Sequence, residues 1–179
     1  MKKLTIGFDA DTKKCGLVVY DKQLNRFVYC KNQDYNTIAL KFIPMLYRKY
    51  KDYYIECFIE LPSLRTAVNL SSKTSHYDTV QEAFKAGRCS EIANQFKDLC
   101  TKFNFSVQTV KSEKRVRMDK SKYDNYSIED IKRESLKLKR DGRYFSKLSY
   151  NKSIQLFDFS IINSEVVDAA LLVLPYTAL

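Results

Sequence analysis

Leu4-Thr5-Ile6-Gly7-Phe8-Asp9-Ala10-Asp11-Thr12-Lys13-Lys14-Cys15-Gly16 is the stretch on which the fold turns. Its apolar run ends in a carboxylate and breaks into a polar turn, and two more β-rich runs follow at Gly16 to Tyr20 and Arg26 to Cys30. Three short runs separated by polar turns predict an antiparallel meander. Beyond it, Ile38, Phe42 and Leu46 recur every four residues between Tyr35 and Tyr50, as the apolar face of a helix requires. Pro44 lies inside that pattern and has no N–H for the carbonyl of Leu40, so a kink or break is expected there.

Tyr54 to Ile59 reads as a fourth strand, and Pro62 to Thr79, rich in Ser and Thr, as a long loop suited to contacts. Ile92, Ala93, Phe96, Leu99, Cys100 and Phe103 mark a second helix ending near Asn104, before a fifth strand at Phe105 to Val110. A solvated loop is expected from Lys111 to Lys122, then helices at Ser127 to Leu138 and Ser146 to Phe157. The closing helix runs from Ser164 to Leu174, with Ser164 as its expected N-cap. The fold class is thus α/β: a five-stranded mixed sheet, three antiparallel strands followed by parallel ones, flanked by helices.

The 179 residues carry 31 Lys+Arg against 21 Asp+Glu, a net charge of +10, with 45% hydrophobic and 13% aromatic residues. That composition excludes collagen-like, disulfide-scaffold and wholly disordered classes and favours a polyanionic partner. One domain over 1–179 is expected, with a basic insert at about 111–145. Between Lys111 and Lys152 there are 14 Lys+Arg against 7 Asp+Glu, so this segment carries +7 of the total. Tyr123, Tyr126, Tyr144 and Tyr150 stand among those cations and could stack on bases while the cations neutralise a phosphate backbone. The five cysteines are odd in number and lack a C-x-x-C pair, so they read as buried, reduced thiols in a cytoplasmic protein. Asp9 and Asp11 interrupt any signal-peptide core, and no run approaches the ~20 apolar residues of a membrane span. His76 is the single histidine, which removes a multi-His zinc cluster and makes a surface-loop residue the simplest reading.

Asp9 and Glu60 each stand where an apolar strand runs out. Were those strands parallel neighbours, joined by a helical crossover, the two acids would share one sheet edge. Glu165 and Asp168 are an i, i+3 pair on one face of the closing helix. Singly, such acids suit turns and helix N-termini. Jointly, four clustered carboxylates call for divalent cations, with oxygen ligands favouring Mg²⁺ or Mn²⁺. Two such ions ~3.5–4 Å apart would support phosphodiester hydrolysis.

These residues resemble the RuvC-type Holliday-junction resolvases of the RNase H-like nucleases. The resemblance rests on Ile6-Gly-Phe-Asp9-Ala-Asp-Thr-Lys-Lys-Cys-Gly16, on Phe58-Ile-Glu60-Leu-Pro62 and on Glu165-Val-Val-Asp168-Ala-Ala-Leu. Ala86-Gly87-Arg88 and the helix after it look like the family's central helix. The resemblance implies an RNase H-like fold, Asp9, Glu60, Glu165 and Asp168 as catalytic ligands of two Mg²⁺ ions with Mn²⁺ as substitute, and a homodimer that resolves four-way DNA junctions by paired symmetric nicks. It implies no nucleotide cofactor and no membrane. Expected DNA contacts are Arg65, Lys73, Arg88, Lys111, Lys114, Arg115 and Arg117, with Lys111 and Lys114 facing the acidic site. The turn is Ala10-Asp11 where the family commonly has Pro-Gly, so Asp11 is a further carboxylate of open role, supporting the site or merely forming the turn.

Three other functions compete: a less selective branched-DNA or flap nuclease, a non-catalytic basic DNA-binding protein on the same fold, and an ATPase or sugar kinase of the actin-like kind. The last needs two such domains and a glycine-rich adenosine motif, for which 179 residues and 4 glycines are too few.

Overall fold

In a computed structural model, the described residues are 1–62, 76–117, 125–146, 148, 152 and 163–177. Strands β1 (Lys3–Asp9), β2 (Cys15–Asp21) and β3 (Arg26–Gln33) form the meander. Next come α1 (Tyr35–Thr37), a π-helical turn (Ile38–Phe42) and α2 (Ile43–Lys49), then β4 (Tyr54–Leu61). After α3 (His76–Lys102), β5 (Ser106–Lys111) completes a sheet of order β3-β2-β1-β4-β5. β1 pairs antiparallel with β2 and parallel with β4, which in turn pairs parallel with β5. The expected mixed sheet is therefore present.

Pro44 produces the expected break in a specific form. The helix loosens into the π turn, in which the Ile43 N–H reaches back to Ile38 O, and Pro44 then sits in the first turn of α2, where a missing N–H costs little.

The period-two alternation of β1 and β4 divides the core into two layers. Leu4, Ile6, Phe8, Ile55, Cys57 and Ile59 pack with Ile43, Leu46, Ala93, Phe96 and Cys100 on the α2/α3 side. Phe8 and Phe96 stack there with centroids 3.9 Å apart. On the opposite side, Val18, Tyr20 and Phe27 meet the closing helix, α5 (Ser164–Thr177), whose residues Val166 through Pro175 are all buried. That near-complete burial explains a sequence apolar all round rather than on one stripe.

Three expectations need correction. α3 begins at His76 and runs unbroken through Gly87, so residues 76–79 belong to a helix and not to the loop; 63–75 lie outside the described residues. The stretch after β5 is not a solvated loop at its start. A 3₁₀ turn (Ser112–Lys114) leads into β6 (Arg115–Arg117), which pairs in parallel with β7 (Tyr144–Ser146), placing Ser146 in a strand and not at a helix start. Finally, Ser164 is the first residue of α5, and it is the Asn163 side chain that accepts from the Val166 N–H at 3.0 Å as a cap does. Between these strands, α4 (Ile128–Arg140) starts with a capping box in which Ser127 and Asp130 satisfy each other's backbone N–H groups. Of the expected helix at Ser146 to Phe157, residues 147, 149–151 and 153–157 lie outside the described residues. Among the described residues no helix is long and apolar enough to cross a membrane.

Candidate active site

Parallel pairing of β1 with β4 carries the register Phe8↔Ile59, so the next residues along, Asp9 and Glu60, stand side by side at the strand ends. Alternation aims both at the α5 face, together with Gly7 and Phe58. Two glycines let α5 come close enough to meet them. A Cβ on Gly16, the register partner of Asp9, would sit 2.0 Å from the Glu165 carbonyl oxygen. On Gly7 it would lie 2.1 Å from the Ala169 carbonyl oxygen. Any side chain at either position would push α5 off the sheet, and Glu165 and Asp168 with it.

The four carboxylates of Asp9, Glu60, Glu165 and Asp168 line one cavity of about 400 Å³ with Asp11, Glu82, Lys85, Cys89 and Arg115. Arg115 is its centre of positive charge. One guanidinium nitrogen lies 3.9 Å from Asp9 Oδ1 and against Glu60 Oε1, and another lies 3.7 Å from Asp168 Oδ2. Its Nε donates to the Tyr144 hydroxyl at 3.1 Å, so the β6–β7 pair holds the side chain at both backbone and tip. Glu165, at the rim, accepts from the Ser164 hydroxyl at 3.1 Å.

Charge compensation is incomplete. Burial, reinforced by Asp168 and more weakly by Glu165 and Asp11, pushes the Asp9 carboxyl up to about 8 despite the opposing pull of Arg115. Glu60 is 1% exposed, and neither of its carboxylate oxygens has a hydrogen-bond donor of regular geometry. Among the described residues no three His, Cys, Asp or Glu side chains are drawn together tightly enough to enclose one ion. A buried, under-satisfied, oxygen-only donor set nonetheless has the chemistry of a hard divalent cation site.

The other expected residues fall in different places. Asp11 is a turn residue: its Oδ1 accepts from the Lys13 N–H at 3.0 Å and its Oδ2 lies 3.5 Å from Lys85 Nζ on α3. Arg88 is exposed on α3, 5.9 Å from the centroid of Phe84. Lys111 and Lys114 are exposed but line a separate groove, not the acidic cavity they were expected to face, while Arg117 is exposed at the end of β6. Tyr144 is buried and bonded to Arg115, which removes it as a stacking platform for bases. Arg65, Lys73, Tyr123 and Tyr150, with the His76 side chain, lie outside the described residues. Sequence reasoning missed the Arg115–Tyr144 contact, for which a separation of 29 residues leaves no local signal. Gly7 and Gly16 did leave one, as glycines inside otherwise β-rich runs.

Sheet order β3-β2-β1-β4-β5, with β1 to β3 antiparallel, β4 and β5 parallel to β1 and helices on both faces, gives the chain the mixed α/β arrangement its sequence predicts. A structure of T. thermophilus RuvC in complex with Holliday junction substrate is similar to it, with a TM-score of 0.49 and 10% identity over 96% of this chain and 91% of that chain. No family model matches the sequence, and no curated protein matches it.

Proposed function

We propose that the protein is a metal-dependent endodeoxyribonuclease that cuts branched DNA, resolving four-way junctions by paired symmetric nicks. The observation that carries this reading is the convergence of Asp9, Glu60 and Asp168, from three separate elements, on one open cavity beside Glu165. Asp9, Glu60, Glu165 and Asp168 would hold two Mg²⁺ ions, with Mn²⁺ as substitute. When bound, such ions activate water, bind the scissile phosphate and neutralise the leaving 3′ oxygen.

The chain's own residues prepare that step. Asp9 and Glu60 project from paired strands and move little relative to each other. Packing of α5 over Gly7 and Gly16 fixes the height of Asp168 above them. Arg115, held by Tyr144, supplies a permanent cation next to the carboxylates and a donor for an anionic phosphate oxygen. Deep burial of Glu60 keeps bulk water from competing for its oxygens. A homodimer places one such site on each half of a two-fold junction.

The test is incubation of the protein with a labelled four-way junction and a linear duplex, in Mg²⁺ or in EDTA. Symmetric Mg²⁺-dependent nicks confined to the junction are expected. Equal cutting of flaps and other branches would move the reading to a less selective nuclease, and binding without any cleavage would overturn the catalytic assignment.

A further inference from the structure

A second depression, of about 310 Å³, lies between β5, the C-terminal end of α4 and the last turn of α5. Four cations line it, Lys111, Lys114, Lys139 and Arg143, and among the described residues no carboxylate does. Lys111 has a loose contact with Glu113 at 3.9 Å; among the described residues Lys114, Lys139 and Arg143 have no carboxylate within ion-pair distance. The nearest buried acid, Glu56, is already engaged by Lys3 at 2.7 Å and by Gln108 at 2.9 Å. Desolvation of its ammonium lowers the Lys139 pKa, Glu56 opposes, and Lys3 and Lys22 lower it further. The groove is thus short of negative charge.

Its aromatic floor is not free to take a base. Tyr176 packs on Phe58 with centroids 4.0 Å apart, and the Lys139 ammonium stands 3.4 Å from its ring centroid. Tyr144 is buried with its hydroxyl on Arg115. With these rings engaged, the groove offers a ligand its four cations and the Thr109 hydroxyl, the Gln108 amide being bonded to Glu56, a lining that suits phosphate oxygens. Tyr144 also forms the wall shared with the acidic cavity, since it lines this groove while Arg115 lines the other.

We propose that this groove is a phosphate-binding subsite that holds the sugar-phosphate backbone of a nucleic-acid strand, without reading its sequence, beside the cavity where the strand is cut. The proposal rests on the nucleic-acid reading above but not on catalysis, so it is tested in EDTA. Binding of a fluorescent four-way junction and a linear duplex is followed by anisotropy at several salt concentrations. The wild type is compared with the double variant Lys114→Glu/Arg143→Glu, and with Lys41→Glu/Lys51→Glu, an equal charge change on exposed residues that line neither cavity nor groove, as a control.

Loss of two phosphate contacts should weaken binding by about tenfold at moderate salt and flatten the log–log salt slope by about 2, alike for junctions of unrelated sequence. The Lys41→Glu/Lys51→Glu protein should keep a slope close to that of the wild type. Lys114 and Arg143 are exposed, so the melting temperature should not move; if charge reversal does unfold the chain, Lys114→Gln/Arg143→Gln replaces it. Wild-type binding with an unchanged slope in the double variant would overturn the subsite alone. Failure of the wild type to bind either DNA would overturn the nucleic-acid reading and the subsite with it.

Discussion

The acidic cavity and the basic groove share the Arg115–Tyr144 contact and differ in every other respect. Among the described residues, six carboxylates and two cations line the first, and four cations and no carboxylate line the second. In the cavity the key charges are buried, fixed by strand register and by helix contact at two glycines, and under-compensated. In the groove Lys111, Lys114 and Arg143 are exposed on loop and strand-end positions. Buried charge in a rigid frame suits chemistry, where small displacements of a reacting group are costly. Exposed charge suits attraction of a polyanion, which tolerates movement and is weakened by salt.

The sharpest way to break this division is to neutralise one buried acid. Glu60→Gln should lower junction cleavage in Mg²⁺ by about 10³-fold or more while changing binding in EDTA by less than about threefold, because one ligand charge is lost with almost no change in volume. Equal losses in cleavage and binding assays would show that the two regions do not divide the work.

A second test attacks the frame and not the charge. Gly16→Ala should destabilise the fold by about 3 kcal/mol in urea titration, the upper range for overpacking, since its Cβ meets backbone and not a movable side chain. Gly87→Ala is the contrast: nothing lies within 4 Å of that Cβ, and helix propensity alone should add about 0.5–1 kcal/mol of stability.

Removing the shared cation comes next in size. Arg115→Ala leaves Asp9, Glu60 and Asp168 without their common partner, and with the arginine 29% exposed the loss in EDTA should be about 2 kcal/mol, below that of a fully buried pair. Added Mg²⁺ should raise the melting temperature of Arg115→Ala more than that of the wild type. An equal rise in both would argue that the carboxylates do not hold the ion. The smallest effect is expected at the cavity rim, where Lys85→Ala breaks an exposed ion pair with Asp11 and should change stability by less than about 1 kcal/mol.

Much of the fold was legible because its signals are local. The alternation of Leu4, Ile6 and Phe8, the four-residue recurrence of Ile38, Phe42 and Leu46, and the run Val166–Leu174, apolar except for Asp168, each report a face that must be buried. Pro44 announced its break for an equally local reason, a missing N–H. The long loop was harder. Val80 and Phe84 are exposed in α3, so residues 78–88 carry no buried stripe for a periodicity argument to detect. β6 and β7 were missed because three-residue strands paired across 29 positions leave no pattern of their own.

Which residue types end the apolar elements, and hence the candidacy of Asp9, Glu60, Glu165 and Asp168, can be read along the chain, because burial patterns and strand ends are properties of neighbouring residues. It takes the folded chain to set Asp9 beside Glu60 through the parallel β1–β4 register, to bring α5 within reach at two glycines, and to give Arg115 to the acids while Lys111 and Lys114 line a groove of their own. Charge along a chain adds up wherever the residues fall. Its chemistry depends on which opposite charges the fold brings within a few ångströms and how much water it leaves between them.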